Sequence, residues 1–129
     1  MTIANWCVVA ASVLPVLTVG MAKATTLGSR KNGGYDNNNP REWEAKLAGW
    51  KARAVAAQNN GFEALPLFIA GVLLAQQAHG DQARIDMLAM SFIAIRLVYV
   101  ALYLKDVAAL RSLVWAAGVG VSIALVAMA

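Results

Sequence analysis

The sequence is short of the groups on which most site chemistry depends. Its 129 residues include one cysteine, Cys7, and one histidine, His79. A lone cysteine forbids an intrachain disulfide and any cysteine-cluster metal site, and a lone histidine forbids a paired-histidine site. Metal chemistry is therefore not expected, and His79, beside Gly80 and Asp81, reads as an exposed turn residue. Charge is scarce as well, at 14 % of residues against about 25 % in an average soluble domain. Apolar residues take its place: 60 % of the chain is hydrophobic, and the mean hydropathy is +0.58. A soluble fold of this length has too little interior to bury so much apolar surface. The composition excludes a disordered tail, a nucleic-acid module and an ordinary cytosolic enzyme, and it makes lipid the expected solvent.

A membrane-crossing helix needs about 20 mostly apolar residues. Four stretches qualify, at about residues 3–22, 54–77, 84–104 and 107–128. The expected fold is an all-α membrane protein, one bundle of four transmembrane helices over residues 1–129. Ala22-Lys23-Ala24 resembles a signal-peptide cleavage site. However, no Lys or Arg precedes the first apolar run, which exceeds the usual length, so the span is expected to be retained. Between the first two spans lies the one long polar segment, 23–53. It holds Lys23, Arg30, Lys31, Arg41, Lys46, Lys51 and Arg53, opposed only by Asp36, Glu42 and Glu44. Gly33-Gly34 and Asn39-Pro40 are turn signals within it. The next loop has Arg84, and the third has Lys105 and Arg111. The positive-inside rule then places segments 23–53 and 105–111 in the cytoplasm and both termini outside. Trp43 and Trp50 suit the headgroup level as anchors. Topology alone accounts for the net charge of +4, so the expected partners are membrane lipids, with no nucleic acid.

Ionisable and amide side chains inside a span are costly and usually mark function. The second span, which begins at Ala54, holds Gln58, Asn59, Asn60 and Glu63 within six residues near its start. Asn59, Asn60 and Glu63 share a helical face, and Glu63 lies roughly 14 Å in at about 1.5 Å per residue. Arg96 in the third span offers a counter-charge at the same depth, so Glu63 and Arg96 form a candidate structural ion pair. Tyr99 and Tyr103 follow Arg96 on one face, and Arg111 enters the fourth span about one turn from the same surface. Polar groups thus converge on the cytoplasmic half, and the outer half reads as almost wholly apolar. Two readings stay open. The amides act as interhelical glue around a register-fixing ion pair, or the cluster binds a polar, charged ligand. Pro66 reads as a tolerated kink, and Gly118 and Gly120 as sites of close helix packing.

The run from Arg53 to Phe68 resembles the second-helix signature of the MAPEG family, the membrane-associated proteins in eicosanoid and glutathione metabolism. Asn39-Pro40-Arg41, the run from Arg96 to Tyr103, and Leu110-Arg111-Ser112 are similar to small bacterial members. The resemblance implies a homotrimer of four-helix protomers in a bacterial inner membrane, with glutathione between protomers near the first and third loops. It implies that Arg53, Gln58, Asn60, Glu63, Tyr99 and Tyr103 hold glutathione. It further implies that Arg111 is the catalytic residue, activating the thiol. A guanidinium beside the sulfur favours thiolate, the nucleophile, and Arg stays charged when partly buried. The chain departs from the enzymes at three points. Ala56 stands where they carry a second arginine, Ala64 stands where an aromatic is common, and Arg111 follows Tyr103 by eight residues rather than seven. Two function classes remain in play. One is glutathione-dependent conjugation or peroxide reduction on a lipophilic electrophile. The other is a non-catalytic protein of the same fold, binding lipid or serving as an accessory subunit beside partner membrane proteins. A small proton-coupled exporter fits less well, because the first span has no ionisable residue.

Overall fold

The computed structural model describes residues 1–25 and 34–129. Arg30, Lys31 and Gly33, part of the loop-charge and turn expectations, lie outside the described residues. Among those residues the chain forms five α-helices and no strand: α1 (Ile3–Ala24), α2 (Pro40–Ala45), α3 (Gly49–Gln77), α4 (Gln82–Leu104) and α5 (Ala108–Val126). Local chemistry sets their starts. Thr2 Oγ1 accepts the Asn5 N–H at 3.0 Å ahead of α1, Asp81 caps α4 through the Ala83 N–H, and Pro40 opens α2, where a missing N–H costs nothing. The turns after α3 and α4 are tight, with His79 and Asp106 in left-handed backbone at φ 57° and 62°. His79 is exposed, as the sequence led one to expect. Such short connections force antiparallel neighbours. α3 and α4 each pack against all three other long helices, whereas α1 and α5 flank that pair without packing on each other.

α1, α4 and α5 are each long and apolar enough to cross a membrane. α3 is longer, at 29 residues, but the half that holds Gln58, Asn59, Asn60 and Glu63 is polar. It begins at Gly49, five residues before the expected span, and α1 runs on to Ala24. Much of the expected polar loop is therefore structured. α2 folds back so that Trp43 is only 7 % exposed, packed with Ala22 and Ala54. Tyr35 meets the indole edge-on at 5.0 Å. Trp43 is thus a core residue of this cap rather than a headgroup anchor, because the α2 turn points it inward. Trp50 remains exposed.

The core runs along α3 and α4. The rings of Phe68 and Phe92 stack at 3.9 Å, 6° from parallel, among Ala11, Val72, Ile85, Ala89 and Leu125. Gly118 packs as expected, since a Cβ there would sit 3.4 Å from Ile95. Gly120 does not, having open space around it. The close α3–α5 crossing belongs instead to Gly71, where a Cβ would lie 2.9 Å from Leu125 Cβ and 3.0 Å from the Ser122 carbonyl.

The end of the bundle that carries both termini is more polar than the sequence suggested. Asp86 accepts the Ala4 N–H at 2.9 Å and Gln82 Nε2 at 2.8 Å. Gln76 accepts from Thr2 at 2.7 Å and donates to Asn5 at 2.9 Å. The unpaired N–H groups of a helix start need acceptors, and here a carboxylate from α4 and the Thr2 cap supply them. Outward, Trp6, Val13, Leu17, Leu73, Leu97, Leu113 and Ile123 are exposed on the long helices. Large apolar patches are rare on soluble monomers, and with the three helices able to span, these exposed side chains describe a multi-pass membrane protein.

Gly71→Ala should therefore destabilise the bundle by about 1–3 kcal/mol through overpacking against α5. Gly120→Ala should cost nothing. Denaturant unfolding in detergent micelles compares the two.

Candidate functional site

From the middle of the bundle toward the end away from the termini, α3, α4 and α5 surround polar side chains. α3 presents Asn60 and Glu63 one turn apart. α4 presents Arg96, Tyr99 and Tyr103 at +3 and +7. α5 presents Arg111 and Trp115. These residues line two cavities. One, of about 140 Å³, is bounded by Asn60, Glu63, Ala64, Phe92, Arg96, Trp115, Gly118, Val119 and Ser122. The other, of about 200 Å³, is bounded by Asn60, Tyr99, Tyr103, Arg111, Ser112 and Trp115. Asn60 and Trp115 line both, so the two cavities adjoin and are treated together as one cleft.

A ladder of cations and rings forms its wall. The Arg111 guanidinium carbon lies 4.2 Å from the Tyr103 ring centroid, and that of Arg96 lies 4.2 Å from Tyr99. The two tyrosines meet edge-on at 5.7 Å. Such contacts strengthen as water leaves, from about 0.5–1 kcal/mol at exposed sites to about 2 kcal/mol when desolvated. The two arginines are not equivalent. Arg96 is 5 % exposed, and its Nη1 donates to Asn60 Oδ1 at 3.0 Å. Arg111 is only half-buried at the cleft mouth. Among the described residues, no carboxylate lies within 4.0 Å of either one.

The expected Glu63–Arg96 ion pair does not form. Stacking on Tyr99 draws the Arg96 fork toward the end where α4 finishes. Asn60 lies on that side, one turn of α3 away from Glu63. Glu63 stays exposed on the rim of the same cavity. The two side chains thus share a cleft without sharing a bond, and the amide takes the place given to the carboxylate.

Of the residues singled out from the sequence, Asn60, Glu63, Arg96, Tyr99, Tyr103 and Arg111 come together. Arg53 does not join them. Its Nε and Nη2 both donate to the Leu104 carbonyl, at 3.2 and 3.1 Å. It thereby caps the last turn of α4, whose carbonyls lack helical partners. Gln58 is half-buried on another side of α3, two residues and about 200° from Asn60. The sequence reading missed Ser112, Trp115, Gly118 and Ser122. A signal for three of them was present, because steps of four, three and four residues from Arg111 trace one face of α5 through Trp115, Gly118 and Ser122.

Together the groups offer a half-exposed cation, an exposed carboxylate, an amide and two phenol hydroxyls above an apolar floor. That set suits a small ligand carrying both charge signs with an anionic excess. The family model described as "MAPEG family" matches residues 3–129. The chain matches no curated protein and no solved structure.

A double-mutant cycle separates the two candidate partners of Arg96. Asn60→Ala with Arg96→Ala should show a coupling of about 0.6–1.7 kcal/mol, the range for hydrogen bonds inside membrane bundles. The Glu63 cycle should be additive within about 0.5 kcal/mol. Unfolding free energies of the three single and two double variants give both numbers.

Proposed function

The chain belongs to the MAPEG family, and from that premise we propose that it is a glutathione-dependent transferase or peroxidase acting on lipophilic electrophiles. One observation carries the reading most: the Arg111 guanidinium, stacked on Tyr103, faces a polar cavity of about 200 Å³ with no carboxylate of its own. A buried or half-buried cation lacking an anionic partner is a receptor for one. Glutathione has two carboxylates, one ammonium and a thiol, which fits a cleft with a free cation and a free carboxylate.

In this reading Glu63 accepts from the ammonium group at the cleft rim. Asn60, held by Arg96 through its oxygen, turns its amide N–H groups toward the ligand's carbonyl or carboxylate. Tyr99 and Tyr103 give hydroxyls to the same pocket. Arg111 stands near the sulfur and favours loss of the thiol proton to solvent, because its fixed positive charge stabilises thiolate over thiol. When bound, glutathione supplies that thiolate, which forms a carbon–sulfur bond while a leaving group departs with its electron pair. The apolar floor of Ala64, Phe92 and Val119 receives an electrophile that arrives through lipid. The remaining parts of the proposal are architectural. α3 is the fourth membrane span of one domain, residues 1–129. Three copies assemble, with Gln58 turned toward a neighbour's site. The loops at 23–53 and 105–111 face the cytoplasm of a bacterial inner membrane.

A second reading is supported by Arg53. Its guanidinium is committed to the Leu104 carbonyl, and Ala56 brings no second arginine. Two cations that would bind carboxylates are thereby lost, which favours a non-catalytic protein that binds lipid or partner membrane subunits.

Titration calorimetry with glutathione on the detergent-solubilised protein decides between them. Arg111→Ala should weaken binding about 10- to 100-fold, the value of about 1.5–3 kcal/mol for a hydrogen bond to a charged group. Arg53→Ala should lower stability and leave affinity nearly unchanged. No heat at millimolar glutathione overturns the enzyme reading and leaves the accessory one.

A further inference from the structure

Among the described residues one buried side-chain nitrogen has no hydrogen-bond partner, Nη2 of Arg96. A Cβ built on Gly61 would stand 3.7 Å from Nη2 and 2.8 Å from Pro15 Cγ. Nη2 therefore points into the seam where α1 crosses α3. A separate cavity of about 10 Å³ lies in that seam, lined among others by Ala11, Pro15, Thr18, Gly61 and Arg96. A cavity holds one water when its volume is about that of one probe sphere and it offers two to four polar partners.

The partners are present, and Pro15 creates one of them. Proline has no N–H, so the carbonyl four residues earlier in the helix, that of Ala11, loses its donor. Thr18 Oγ1 donates to the Leu14 carbonyl at 2.8 Å, which leaves its oxygen free to accept. The residues lining the seam thus include one orphan donor, one carbonyl freed by Pro15 and one hydroxyl, beside room for a single water. No other occupant fits. The volume excludes a carboxylate or phosphate group. Nη2 is sealed within one chain, so neither lipid nor a second copy reaches it.

We propose that a single buried water accepts from Arg96 Nη2 and donates to the Ala11 carbonyl and Thr18 Oγ1. α1 thereby locks the Arg96 fork from behind. The other arm of the fork, Nη1, holds Asn60 Oδ1 and fixes which face of that amide the cleft presents. Pro15, Thr18 and Arg96 are then positioning residues for the cleft, although Pro15 and Thr18 touch nothing in it. Leaving a buried guanidinium N–H unsatisfied costs more than immobilising one water does, so the water is the stable state. The inference does not depend on which ligand the cleft binds.

The test uses the intact protein in micelles, labelled for arginine and asparagine side-chain NMR. Expected are slow rotation of the Arg96 guanidinium, water cross-relaxation to its Nη2 protons, and loss of both in Thr18→Val, which keeps the shape and removes the acceptor. The Asn60 amide signals should shift in the same variant, although Asn60 does not line this cavity. Pro15→Ala, which gives Ala11 a helical donor, is the second variant and should act in the same direction. A wild-type guanidinium that rotates freely, or one that shows no contact with water, overturns the proposal. So does an Asn60 signal that stays put in both variants. A crystal structure resolving ordered waters gives an independent reading. One density peak bonded to Nη2 and Ala11 supports the site, and a dry seam with Nη2 bonded directly to a protein carbonyl removes it.

Discussion

A guanidinium enclosed in a bundle whose outer surface is apolar is the constraint to which the rest of this structure answers. An Arg inside a membrane span is expensive, and it persists only where the bundle supplies partners. Here they come from different helices. α4 itself gives the ring of Tyr99, α3 gives Asn60 Oδ1, and α1 bounds the seam into which Nη2 points. Each helix that packs around Arg96 is therefore positioned by what the cation needs as well as by apolar contact. Lipid supplies little drive for helix association, because its tails are as apolar as leucine. In that solvent a shared polar centre and close backbone approach do much of the holding.

Close approach depends on small residues at specific heights. Gly61 admits Pro15 to the α1–α3 crossing, and Gly71 admits Leu125 to the α3–α5 crossing. The two halves of α3 differ in what they face. Below, Phe68 and Phe92 stack face to face and close the interior. Above, the helices surround Asn60 and Arg96, and the cleft opens. At the opposite end, Asp86 and Gln76 tie the start of α1 to α3 and α4. That network leaves the cleft end as the place where the bundle can present unpaired polar groups.

The class of the fold was legible because hydrophobic run length is a strong signal and four runs stood out. α3 shows the limit of that signal. Its polar half falls short of the apolarity of the other three, and its start at Gly49 was hidden because the residues between Gly49 and Ala54 read as loop by charge. The cleft was legible as a constellation, since amides and ionisable groups inside otherwise apolar runs are rare enough to stand out. Which residue bonds to which was not. Depth counting put Glu63 and Arg96 at one level, but level does not set direction. A ring contact with Tyr99 turned the fork toward Asn60, and no spacing rule reports that choice. Arg53 failed for a similar reason. It sits at the correct end of α3, yet the nearest acceptor is the unsatisfied carbonyl of Leu104, and a backbone carbonyl leaves no mark in a sequence. Trp43 was misplaced because an aromatic near a span end looks the same whether α2 turns it inward or leaves it at the interface.

The two arginines of the cleft divide its work by burial. Arg96 is sealed, and its forks are directed at Asn60 and at the α1 seam, so it cannot change partners without breaking the packing around it. Arg111 is half-buried, stacked on one ring and bonded to no carboxylate, so it can take an anion without losing a protein contact. A binding residue needs that freedom, because affinity is the difference between the bound contact and whatever the residue gives up to make it. A positioning residue needs the opposite, since its value lies in having no alternative. The ladder from Arg111 through Tyr103 and Tyr99 to Arg96 joins the two roles in one wall, with the adaptable cation at the mouth and the immobile one beneath it. Under the proposed function, the chemistry of the site falls to Arg111 and the carboxylate of Glu63, and its geometry to Arg96.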